Sequence, residues 1–94
     1  MTERKQGCWV KAKVVSVSGE CVGGHKDGDE VIFKDTEVVG RICMDALCSM
    51  AAKVYALRYN ADLPWLPDLD SPARHACPDA ANPVVYELIR IPRE

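Results

Sequence analysis

An α+β domain is what this sequence predicts: a small antiparallel sheet covered on one face by one main helix, with a long irregular proline-rich segment. Three observations carry it. One early stretch and one late one alternate apolar and polar residues in the period of a strand, and a shorter strand stretch follows the first. A central stretch repeats apolar residues at three- and four-residue steps. Turn formers and prolines occupy the rest.

In order, "WVKAKVVSVS" (9–18) places Val10, Ala12 and Val14 on one side and Trp9, Lys11 and Lys13 on the other, so the valine side is expected to face the core. The glycine-rich stretch 19–28 connects it to "DEVIFKD", a shorter strand expected to pair antiparallel with the first. The stretch "ICMDALCSMAAKVYALRY" (42–59) predicts a helix whose apolar stripe runs through Met44, Leu47, Cys48, Ala51, Tyr55 and Arg58. Residues 60–83 carry five prolines and read as irregular. "VVYELIRI" (84–91) alternates again and closes the sheet.

With 94 residues the chain reads as one domain, 1–94, and 48% hydrophobic with 28% charged residues describes an ordinary globular protein. No apolar run approaches the roughly 18 residues that span a bilayer, and no apolar segment follows the basic start, so the expectations are no membrane and a cytoplasmic location. A net charge of -2 argues against nucleic acid as partner.

Five cysteines are the main chemical clue; an odd count cannot be consumed by intrachain disulfides, and a reducing compartment favours metal ligation, redox chemistry or burial. Cys8 lies near a terminus and reads as incidental. Cys48, on the helical stripe, reads as a small buried hydrophobe. Cys21, Cys43 and Cys77 stand in connections or at element ends. A thiol at a helix N-terminus meets the positive end of the macrodipole, which makes Cys43 the best candidate for a reactive sulfur. If the sheet gathers these connections at one end, Cys21, His25, Cys43 and Cys77 form a Cys₃His set suited to zinc, iron or copper, with His75 able to replace His25. The spacings are not those of a zinc ribbon.

Two other readings stand beside this one. Cys43 would be the nucleophile of a redox or transferase-type enzyme, with His25 as acid or base and Cys21 or Cys77 as resolving thiol. Alternatively the cysteines are structural in an oligomeric accessory protein that uses "LPWLP" as a contact surface. Asp27, Asp29 and Glu30 lack calcium-loop spacing and solvate the turn. Arg58, Tyr59 and Trp65 either line a ligand pocket, or Trp65 pins the loop to the core while Arg58 pairs with Asp62 or Asp68.

The stretches "CVGGHKDGD", "GRICMDA", "ALRYNADLPW" and "CPDAANPVVYEL" resemble a family of small uncharacterised bacterial and archaeal proteins of about this length. The resemblance implies that Cys21, His25, Cys43, Arg58, Trp65 and Cys77 belong to a common pattern and that Cys8 and Cys48 do not. It implies no particular reaction. Where the family tends to carry glycine this chain has Asn60, which also tolerates a left-handed turn.

Overall fold

The computed structural model describes residues 7–19, 24–68 and 70–93. Cys21 is outside them. The elements run β1 (Trp9–Val17), β2 (Glu30–Phe33), β3 (Val38–Val39), α1 (Met44–Arg58), β4 (Ala73–Ala76) and β5 (Val84–Ile91). The strands form one sheet in the order β3-β2-β1-β5-β4 with every neighbouring pair antiparallel, and α1 packs on one face. Among the described residues no helix is long and apolar enough to cross a membrane.

The alternation in β1 does what its period requires: Val10, Ala12 and Val14 point under the helix, beside Val31 and Phe33 of β2 and Val84, Tyr86 and Leu88 of β5. Above them α1 lays down Ala46, Met50, Val54 and Leu57, at steps of four, four and three residues. Each of the larger side chains contributes about 1.5–3 kcal/mol by leaving water. Met50 is wholly buried at the centre.

Sequence and structure part in several places, among them the short edge strand β3, which the sequence reading does not contain. The predicted helical stripe is not the buried one: Met44 and Tyr55 are 71% and 66% exposed, and Cys48 is an exposed thiol rather than a buried one. The reason is that α1 is apolar almost all round, so two stripes satisfy the period and only the sheet chooses between them. The helix also starts later, at Met44, because Cys43 is extended at φ -73°, ψ 153° and acts as the N-cap. Within the supposedly irregular segment, Ala73–Ala76 forms the edge strand β4, paired with β5 and tied to the helix by Ser49–His75 at 2.9 Å and Lys53 Nζ to the Arg74 carbonyl at 3.0 Å. Cys8 is not frayed: its N–H donates to the Arg58 carbonyl at 2.7 Å and its thiol to that of Leu57 at 3.3 Å.

That second contact belongs to a well-capped helix end. Asn60 takes φ 58° just past the C-cap, its N–H donating to Leu57, while that of Ala61 donates to Ala56. Arg90 reaches from β5 to the carbonyls of Leu57 and Ala61 at 2.9 and 3.0 Å. The left-handed turn expected of Asn60 is present.

Candidate thiol and imidazole site

Antiparallel pairing throughout fixes which connections share an end of the sheet. The end of β1, the start of β2, the end of β3, the end of β4 and the start of β5 all lie on one side. His25 follows β1, Cys43 follows β3 and Cys77 follows β4, so all three stand at that end.

The connection after β1 is tied at both described flanks. Ser18 N–H donates to the Pro83 carbonyl at 3.0 Å, and Gly19, at φ 75°, lies so close to Asn82 that a Cβ would collide with its amide oxygen. On the return, Gly28 N–H donates to Val14 and Val14 N–H to Asp29, both at 2.8 Å, while the Asp29 carboxylate accepts the Lys26 N–H. These bonds turn His25 inward.

His25 is only 5% exposed, with its ring edge against Tyr86 at 6.1 Å between centroids. Its Nε2 accepts the backbone N–H of Cys43 at 3.1 Å, which places the ring proton on Nδ1, 4.0 Å from the Asp29 carboxylate. Burial lowers the His25 pKa, the Arg41 charge lowers it further, and Asp29 opposes both. The imidazole is held neutral at pH 7.

Cys43 is capped from two directions. Its Sγ accepts the Ala46 N–H at 3.4 Å, as an N-cap side chain accepts from the third helical residue. In a capping box the third residue's side chain would bond back to the N-cap N–H; alanine cannot, and His25 supplies that acceptor from 18 residues upstream. Cys77 repeats the pattern, its Sγ accepting the Val84 N–H at 3.2 Å while its own N–H donates to the Val84 carbonyl. Cys8 behaves oppositely: it donates to a carbonyl, and burial pushes its thiol pKa up despite Arg90 and Arg58 nearby.

Among the described residues no three His, Cys, Asp or Glu side chains come close enough together to hold a metal. His25, Cys43 and Cys77 are therefore not a three-ligand set by themselves. His75, the alternative ligand, bonds to Ser49 Oγ instead, and burial and Lys53 lower its pKa.

The aromatic group separates only in part: the Arg58 guanidinium lies over the Tyr59 ring at 5.1 Å, while Trp65 stands apart. Arg58 pairs with Asp35 at 3.2 Å rather than with Asp62 or Asp68. Trp65 does not pin the loop to the core; it is 54% exposed, with Lys53 Nζ 5.3 Å from its ring. Tyr59 packs against Tyr55 with 5.0 Å between ring centroids and the ring planes tilted by 55°. The cavity that Arg58 lines is bounded by the β2–β3 turn, not by Tyr59 or Trp65.

Sequence reading missed Tyr86 as the wall against His25 and Arg41 as the charge acting on it. The strand period does put Tyr86 on the inner face, but only the register shows that it meets the histidine. No known protein family, curated protein sequence or solved structure matches this chain.

Proposed function

We infer that this protein is a metal-binding module of a reducing compartment, in which Cys21, Cys43 and Cys77 provide thiolates for a soft transition ion such as zinc, iron or copper(I). The observation that carries the reading is the shared hydrogen-bond sense of two sulfurs. Cys43 and Cys77 each accept a backbone N–H, the bond that suits a thiolate or a metal-bound sulfur, whereas Cys8 donates as a neutral thiol. Both stand at the end of the sheet where the connection containing Cys21 begins and returns.

His25 enters as a positioning residue. A neutral imidazole bound to a metal through one nitrogen carries its proton on the other, so a metal on His25 Nδ1 would break the Cys43 N–H bond. The same bond weighs against a Cys43–His25 nucleophilic dyad. The nitrogen nearest Cys43 already accepts a backbone proton, and its contact is with the amide rather than with Sγ.

Elemental analysis of protein purified anaerobically without a nickel column, beside thiol titration of the native protein, tests this. The expected result is about one metal per chain, with Cys43 and Cys77 protected and binding lost in Cys21→Ala. Metal-free protein with Cys43 as its fastest thiol would refute it.

A further inference from the structure

The helical stripe that the sequence singled out lies mostly outside the core: Ala51 and Tyr55 are exposed, and Leu47 packs at the core's edge. Leu47, Ala51 and Tyr55 of that stripe, with the edge of the core residue Val54, form one wall of a groove of about 350 Å³, with Phe33 and Val38 as the other wall and the 34–37 turn as its rim. Its volume lies in the range of small-molecule sites, and apolar walls with a few polar groups at one end are how such sites are built.

The polar end is Arg58. Its side chain is 15% exposed, and its Nε is buried with no hydrogen-bond partner among the described residues. Asp35 accepts from Arg58 through one carboxylate oxygen and from Arg93 through the other, at 3.2 and 2.5 Å. Two guanidinium groups thus share one carboxylate, leaving a positive charge in excess. The other charges on the rim are Lys34, placed over the Trp9 ring at 4.9 Å, and the exposed Glu37, which offset each other. An apolar trough that ends at Arg58, whose carboxylate partner is shared with Arg93 outside the groove, complements an apolar body that ends in an anion.

We propose that this groove binds a small amphipathic carboxylate, its hydrocarbon or aryl body on Phe33, Ala51 and Tyr55 and its carboxylate at Arg58. The groove shares no lining residue with the thiol site, and its charged end, Arg58, is at the opposite end of α1 from Cys43.

The test is titration of ¹⁵N-labelled full-length protein with 4-phenylbutanoate and with its uncharged amide. The acid is expected to shift the amides of Phe33, Val38, Ala51 and Tyr55 saturably, and the amide to bind about ten-fold more weakly for want of the charge. Ala51→Trp fills the groove from an exposed position and is expected to abolish the shifts while keeping a folded spectrum. Arg58→Gln is expected to narrow the difference between acid and amide. No saturable shift, shifts centred elsewhere, equal binding of acid and amide, or unchanged binding by folded Ala51→Trp would each overturn the proposal.

Discussion

Replacing His25 with alanine puts the largest demand on this description of the thiol end. The imidazole is almost wholly buried, it is the acceptor for the Cys43 N–H, and its edge packs on Tyr86. Orphaning a part-buried backbone donor costs about 1–3 kcal/mol. Losing an edge-on aromatic contact adds about 0.5–1.5 kcal/mol beyond the area involved. Water entering the vacated space recovers some of this, so the expected loss is about 2–4 kcal/mol. With a urea slope of about 2 kcal/mol per molar, the middle of the range for small domains, the unfolding midpoint should fall by roughly 1–2 M with an unchanged slope. His25→Gln, whose side-chain oxygen can still accept the N–H, should recover part of the loss. Amide exchange at Cys43 should accelerate in the alanine variant more than at Met50, which belongs to the helix interior. A midpoint shift worth under about 1 kcal/mol, or an unaltered Cys43 exchange rate, would refute the claim that His25 holds the helix start.

Three further outcomes follow from the same geometry. His25 and His75 both have folded-state pKa values below the ordinary 6.5, in each case chiefly through burial, so between those values and 6.5 the unfolded chain binds more protons. Their contribution to stability is therefore complete above about pH 6.5 and is lost as pH falls through the folded-state values; urea midpoints across that range should show it, and His25→Gln should remove the His25 part and leave that of His75. Arg90→Ala removes two bonds to the end of α1 and should cost about 2–3 kcal/mol, or roughly 10–20 °C in thermal midpoint, with exchange accelerated around Leu57 and Ala61. Brief iodoacetamide treatment of native protein followed by peptide mass analysis should label exposed Cys48 well before half-buried Cys8, whose thiol is bonded to Leu57 and raised in pKa.

The strands were legible where one face is buried. In β1 and β5 the two-residue period writes the core directly into the sequence, and the bounds of β5 coincide with the expected ones. Helix α1 was legible as an element but not in its orientation, because a stretch as apolar as "MDALCSMAAKVYALR" offers more than one acceptable face. Strand β4 was hidden for a different reason: "ARHA" has no β-branched residue, and its conformation comes from pairing with β5 and from ties to Ser49 and Lys53. At the site, the gathering of His25, Cys43 and Cys77 at one end was conditional on sheet order, which the antiparallel topology now supplies. The role of His25 could not be read in advance. Its partner is a backbone N–H 18 residues away, and backbone groups leave no mark in the side-chain spacing.

The most direct test of the thiolate reading is anaerobic titration of reduced protein with cobalt(II), followed by the sulfur-to-cobalt charge-transfer absorption. The expected band saturates near one equivalent, persists in Cys8→Ser and Cys48→Ser, and disappears in Cys43→Ser and Cys77→Ser. A band that survives loss of Cys43 and Cys77, or no band in the unmodified protein, would contradict it.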